Sequence, residues 1–416
     1  MSAALPSVAA TEAHVDSPYA WFRLIMSVLA SAVGGVAMWS YMVALPAVEA
    51  DLGILRGVAS LPYAAAMIGV AIGVVAIGKV ADRFGIIGPM LFGAAALVIG
   101  YVASGFAPNI WLLALGHGIM GIGCSATFGP LIADISHWFQ KRRGIAIAIC
   151  ASGNYVAGAF WPPIVQYFIS SHGWRATHIG IALFCLVTLP LLTFALRRPS
   201  PVRHADSVVD SAADVRRQAL GLSPNGLQVL LCVAGVACCV AMSMPQVHIV
   251  AYCSDLGYGV ARGAEMLSVM LLFGIVSRVA SGFIADRIGG VRTLLLGSVL
   301  QAGALSLYLM ADGLVSLYVI AAVFGLSQGG IVPSYAVIVR EYFPPQEAAT
   351  RMGLALMATL AGMALGGWMS GAIFDLTGSY AAAFANGVLW NLLNIAAVLR
   401  LIVRWPARSR QPGFAT

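Results

Sequence analysis

Apolar stretches of about 18 residues or more recur from end to end of this 416-residue chain, each long enough to cross the hydrocarbon core of a bilayer as a helix. Lipid offers no partner to a backbone N–H or C=O, so a crossing segment must satisfy those groups within a helix or a closed barrel. Stretches of this length select the helix. Only 9% of the residues are charged and 60% are hydrophobic, against about 25% charged in a soluble domain. The expected class is all-α integral membrane, with the lipid bilayer as its obligatory partner.

The spans are expected at 22–48, 58–81, 87–106, 110–136, 144–170 and 176–196, and again at 227–253, 264–285, 291–311, 314–339, 352–374 and 379–403. Between the two sets lies 197–226, charged, Pro- and Ser-containing and without apolar periodicity. The organisation this predicts is a tail over 1–21, a six-helix bundle over 22–196, a linker over 197–226, a second six-helix bundle over 227–404 and a tail over 405–416. The first twenty residues have no basic stretch leading into a short apolar core and cleavage site, so no cleaved signal peptide is expected.

The net charge of +7 does not point to nucleic acid, because the basic residues form no stripe and sit between the apolar spans. They report topology instead. With both termini in the cytoplasm, Arg23, Lys79, Arg83, Lys141, Arg142, Arg143, Arg197, Arg198, Arg203, Arg216, Arg217, Arg287, Arg292, Arg340, Arg351, Arg400, Arg404, Arg408 and Arg410 fall on the cytoplasmic side. Only Arg56, Arg175 and Arg262 fall opposite. That bias predicts a multi-pass protein of the cell inner membrane with cytoplasmic termini. Arg278 alone is left inside a span, and no Asp or Glu is expected well inside one. The seven cysteines lie in apolar segments without metal-ligand spacing and read as small core residues.

An internal repeat strengthens the two-bundle reading. GKVADRFG (78–85) follows the second span and GFIADRIG (282–289) follows the eighth, 204 residues later. Two parallel halves related by an axis along the membrane normal are a known transporter design. This G-x-x-x-D-R-x-G loop, present twice, resembles the signature of the major facilitator superfamily. The resemblance implies twelve transmembrane helices in two six-helix pseudo-symmetric halves. It also implies a conformational latch formed by Gly78, Asp82, Arg83 and Gly85 with Gly282, Asp286, Arg287 and Gly289. On residue type, Gly78 and Gly282 would allow close helix approach, and Asp82 and Asp286 would accept from a neighbouring helix N-terminus or pair with an Arg. A well-behaved helix end with topology-setting charges is the plainer reading of either copy alone.

Three stretches are similar to the branch holding monocarboxylate transporters and oxalate–formate exchangers: HWFQKRRGIAIAICASGNYVAGAFWPP (137–163), SRVASGFIADRIG (277–289) and GAIFDLTGSY (371–380). The chain also departs from that pattern. Where the animal proteins have an acidic residue one turn before the eighth-helix Arg, it has Gly274. Where they have a Lys after a first-helix Pro, it has Ala47 after Pro46. The eleventh-helix Lys of oxalate exchangers has no counterpart within 352–374.

The resemblance, together with Arg278, points to a carrier for a small organic anion. A charge within the bilayer costs about 2.5–3.5 kcal/mol on insertion scales and should face a cavity or partner. A planar guanidinium suits a carboxylate, while packing at the membrane interface is the plainer alternative. His117 is a candidate for titration or for donating to substrate, His248 for gating or binding, and Tyr41, Asn154, Tyr155, Gln328 and Tyr335 for lining the cavity. For each of these seven, ordinary helix–helix hydrogen bonding competes. The chain carries no GxxxxGK[ST] phosphate loop, nucleophile elbow or HExxH. The expectation is a transporter rather than an enzyme, monomeric, without cofactor or metal, with protons an open coupling ion. An exporter of drug-like or metabolite molecules on the same fold, or a non-transporting ligand sensor, are the alternatives.

Overall fold

The structure, a computed structural model, describes residues 15–198 and 223–403, and every regular element among them is a helix. Most of the linker, most of the first tail, the second tail, and the cations at 203, 216, 217, 404, 408 and 410 lie outside the described residues. The first set comprises α1 (Pro18–Leu52), α2 (Leu61–Phe84), α3 (Ile87–Gly105), α4 (Ile110–Trp138), α5 (143–172) and α6 (174–195). The second comprises α7 (Pro224–Asp255), α8 (Val260–Ile288), α9 (Gly290–Leu307), α10 (Leu314–Tyr342), α11 (Pro345–Thr377) and α12 (Tyr380–Val403).

Helices α5 and α6 form one run of 53 residues, Arg143–Ala195. A bilayer crossing needs only about 20 residues. The run reverses at Gly173, whose φ of +79° and ψ of 164° only a residue without Cβ adopts freely. The loop expected between the fifth and sixth spans is thus a single glycine turn, and the twelve expected crossings are all present.

The surface is inverted relative to a soluble protein. Ile99, Leu183, Leu186, Val187 and Leu191 stand exposed, while Asn391, Asn394, Gln301, Gln328 and His178 are fully buried. With no hydrophobic force between helices in lipid, close backbone approach and interhelical hydrogen bonds hold the bundle. A Cβ on Gly121 would stand 2.1 Å from Ala66 O, and one on Gly325 would stand 2.1 Å from Met270 O. These two crossings, α2 with α4 and α8 with α10, involve residues 204 positions apart, the same offset as the sequence repeat.

All helices run between two ends: a near end, where α1 begins and α12 finishes, and a far end. At the near end, burial overturns one expectation. Asp134, inside the fourth span, is buried and accepts from Arg23 Nε at 2.7 Å and Nη2 at 2.9 Å. Arg23 also donates to the carbonyls of Leu196 and Arg198 and lies 4.7 Å over the Trp138 ring. Arg23 therefore ties α1, α4 and α6 together rather than marking a membrane surface. The acid was missed because a span-interior carboxylate is tolerated when a buried cation answers it.

Candidate functional site

Arg278 sits on α8 at the boundary between the two helix sets, and its side chain is buried. Two helix interruptions supply its acceptors. The first segment of α5 ends at Ala151, where Ser152 bonds back to Ala148 O and Gly153 follows. The first segment of α10 ends at Gln328, followed by Gly329 and Gly330. Carbonyls at helix C-termini lack intrahelical partners and carry partial negative charge. Arg278 Nη1 donates to Ala151 O at 2.8 Å and Nε to Gly329 O at 3.3 Å. Its guanidinium lies 4.2 Å over the Tyr155 ring, and among the described residues no carboxylate forms an ion pair with it.

Gly274 explains this arrangement. A Cβ there would stand 2.4 Å from the Tyr155 ring. The space that an acidic side chain would need one turn before Arg278 is filled by a tyrosine from the other set. An acid–arginine pair is replaced by a stacked aromatic, leaving the cation uncompensated by any nearby anion. Asn154, next to Tyr155, accepts the Trp39 indole N–H through both its backbone oxygen (3.0 Å) and its side chain (3.2 Å).

The remaining lining candidates are engaged elsewhere. Tyr41 donates to Ala59 O, and its ring meets that of His117 at 4.6 Å between centroids. Gln328 accepts from Gln246 at 2.6 Å and Tyr335 reaches Cys238 Sγ at 3.4 Å, both inside the second set. His248 bonds Gly367 O at 2.8 Å beneath the far end. Of the other seven candidates, Tyr155 is the one that touches Arg278, with Asn154 beside it.

At the far end the two sets are bound by a residue that sequence reading treated only as a topology charge. Arg56 Nε and Nη2 donate to the two oxygens of Glu49, at 2.9 and 3.2 Å. Nη1 donates to Asp255 and to Tyr380 Oη, the latter at 2.8 Å, and the guanidinium lies 4.3 Å over Phe374. The Asp375 carboxylate accepts the backbone N–H groups of Arg56 (3.0 Å) and Gly57 (2.7 Å), the first donors of the short helix Arg56–Ala59. Gly371 lets α11 approach closely, since a Cβ there would stand 2.9 Å from Arg56 O. The GAIFDLTGSY stretch, noted only for its resemblance, thus supplies Gly371, Phe374, Asp375 and Tyr380 to this inter-set clasp. The available signal was a set of charges at the edges of far-end loops.

At the near end the duplicated motifs face open space. Nothing stands within 4 Å of a Cβ built on Gly78 or Gly282. Gly85 and Gly289 end their helices at φ +76° and +82°. Arg83, Asp286 and Arg287 are exposed, and the side chain of Asp82 lies outside the described residues. The backbone donor of Gly290, opening α9, is taken by Glu341 at 3.1 Å rather than by a motif acid. Phe84 and Phe283 stand 70% and 59% exposed beside the motifs. The sets are therefore clasped at the far end and touch again at Arg278.

Twelve membrane-crossing helices with matching crossings 204 residues apart define a polytopic membrane protein built on an internal repeat. The chain belongs to the Major Facilitator Superfamily, whose profile matches residues 27–322 and 229–415, a family of transporters rather than enzymes. Monocarboxylate transporter 13 of Rattus norvegicus is 28% identical over 299 residues, covering 71% of this chain and 68% of that protein. The MFS-type transporter pynF of Aspergillus niger is 24% identical over 350 residues, 82% of this chain and 78% of that protein. The uncharacterized MFS-type transporter YcxA of Bacillus subtilis is 25% identical over 337 residues, 78% and 81% respectively. The resemblance to the monocarboxylate branch is thus found over most of the chain.

Proposed function

We propose that this protein is a secondary carrier that moves a small organic anion, a monocarboxylate, by alternating access, with Arg278 as the carboxylate-binding group. The observation that carries the reading is a buried arginine at the boundary of the two sets whose hydrogen bonds go to backbone carbonyls alone. A carboxylate binds a guanidinium more strongly than a neutral carbonyl does. An arriving anion displaces Ala151 O, gains the Tyr155 face as a wall, and alters the contact between the sets. Relatives named monocarboxylate transporters support the substrate class.

In this reading residues 22–196 and 227–404 form the two moving halves. The far-end clasp closes one side, and the near end is the open, cytoplasmic side, a reading that the distribution of Lys and Arg supports. When the halves rock, the clasp opens and the exposed motifs, Gly78, Asp82, Arg83 and Gly85 with Gly282, Asp286, Arg287 and Gly289, engage as the near-end latch. Tyr41, His117, His248, Gln328 and Tyr335 shape the cavity from within each half, beside Asn154 and Tyr155. The site would be that of a bacterial-type inner-membrane carrier working as a monomer.

The test is radiolabelled uptake into proteoliposomes across formate, lactate, oxalate and aromatic acids, for wild type, Arg278→Ala and Arg278→Lys. Saturable uptake of one monocarboxylate, lost in Arg278→Ala and weakened in Arg278→Lys, supports the assignment. Uptake unchanged without Arg278 removes it, and uptake of none of the acids removes the substrate class.

A further inference from the structure

The first helix set contains a second buried polar cluster, away from Arg278. His178 on α6 is fully buried, and neither ring nitrogen has a hydrogen-bond partner. Its ring meets those of His117 at 5.6 Å, Tyr101 at 5.6 Å and Trp174 at 5.5 Å between centroids, each edge-on. Two neighbours carry unpartnered nitrogens as well, His117 Nε2 and Trp174 Nε1. Four ring nitrogens in one buried cluster therefore lack partners, although buried polar groups are almost always paired.

Tautomers follow from the bonds that are made. His117 Nδ1 lies 2.8 Å from Leu113 O, and a carbonyl can only accept, so Nδ1 carries the proton. Its Nε2 is then a bare lone pair in a buried place. Neutral His178 has one N–H and one lone pair, and Trp174 one N–H. The cluster holds more proton-accepting capacity than its own donors use, and no carboxylate occupies it.

The groups that face the pair are few. From α1 come Tyr41, against His117, and Ser40, bonded to Tyr101 at 2.8 Å. From α3 come Tyr101 and Ser104, the latter 3.3 Å from His117 Nδ1. Cys124 of α4 and Cys185 of α6 lie near Tyr101, and Glu49 acts on Tyr41. At the far-end mouth Arg175 covers Trp174 at 4.2 Å and pairs with Asp51. Tyr41 in turn bonds Ala59 O, in the short helix headed by Arg56. The cluster thus runs from the far-end rim to the backbone of the inter-set clasp.

We infer that His117 and His178 form an internal proton-binding site, which accepts one proton from far-side water and shares it between His178 and His117 Nε2, directly or through one water. The pair gains one positive charge, and no other bond changes. Occupancy alters the packing on Tyr41 and so the clasp, which couples proton binding to opening of the far end. Arg278 has a tyrosine where a neighbouring acid would stand, and this pair is a protonatable group within the first set. The coupling rests on the carrier reading above, whereas the proton site itself does not.

Two measurements separate these parts. Trp174 lies edge-on to His178, and a protonated imidazole quenches indole emission. Tryptophan fluorescence of the purified protein in nanodiscs should titrate as the pH is lowered, and the titrating component should vanish in His178→Gln and in Trp174→Phe. No titration in the wild type, or its persistence in both variants, overturns the proton site whatever is transported. In proteoliposomes, His178→Gln should lose accumulation driven by a pH gradient while keeping substrate counterflow. If a variant does not fold, the wild-type and Trp174→Phe titrations still decide the site. Full gradient-driven accumulation in His178→Gln overturns the coupling. Counterflow absent in the wild type as well marks a failure of the carrier reading instead.

Discussion

A charge in the bilayer survives only with an answer, and this chain answers its cations in three ways. Arg23 has a buried carboxylate, Asp134, in a two-point pair. Arg56 has Glu49 and Asp255 with two aromatic faces. Arg278 has two helix-end carbonyls and one aromatic face. The least compensated of the three is the one left for an external anion. Removing one partner of a buried pair strands the other, which costs about 3–5 kcal/mol, whereas replacing both with apolar groups is often neutral. Arg23→Met and Asp134→Leu should each lower the thermal unfolding midpoint, and the double variant should recover most of the loss. Equal and additive losses would mean that the pair is not coupled. For Arg278 the expectation differs: Arg278→Ala removes no ion pair, so it should change uptake far more than thermal stability.

Element packing repeats at an offset of 204, and the repeat makes paired predictions. Gly121 and Gly325 each bring a helix backbone against a carbonyl, of Ala66 and Met270 respectively. Leucine at either place forces the helices apart, and overpacking of this kind costs about 1–3 kcal/mol or more. The two single variants should lose stability to a similar degree, read as the temperature at which detergent-solubilised protein aggregates. A large loss at one site only would mean that the repeat is not mirrored in packing energy. Gly85 and Gly289 predict differently. Both have positive φ; Gly85 has open surroundings and a Cβ on Gly289 would meet only the Glu341 carboxylate, at 3.5 Å, so alanine brings backbone strain of about 1–2 kcal/mol without a clash. In the other conformational state, where the motifs are proposed to engage, the same substitutions should slow turnover.

At the scale of the whole molecule, the two sets meet at the far-end clasp and at Arg278, among other contacts. Arg56 and Glu49 belong to the first set, whereas Asp255, Asp375 and Tyr380 belong to the second, so opening divides the clasp between them. Arg56→Ala should favour the far-open form, seen as faster labelling of a cysteine placed at Tyr63, which is buried against Gly367. Unchanged labelling would mean that the clasp does not hold the far end shut. A reducible bifunctional reagent joining cysteines placed at Leu55, exposed, and Ser379, half-buried, both beside the clasp, should stop turnover until it is cleaved. Continued transport with the tether intact would exclude rocking about this closure.

The sequence by itself determined the class, the number of crossings, the repeat and the cation inside a span, Arg278. Each of these follows from local hydropathy or spacing, because lipid imposes its demand on every segment separately. The turn at Gly173 escaped it, since a single glycine leaves no polar gap in the hydropathy. Tertiary structure alone decided which charges meet. Glu49, Arg56, Asp255 and Asp375 come from loop edges up to 326 residues apart, and spacing carries no sign of their convergence. It also decided that Gly274 admits Tyr155 onto Arg278, and that His178, unremarkable in an apolar stretch, stands beside His117 with neither nitrogen partnered. Hydrogen bonds, ion pairs and ring contacts act over a few ångströms, so only the packing of the twelve helices establishes them.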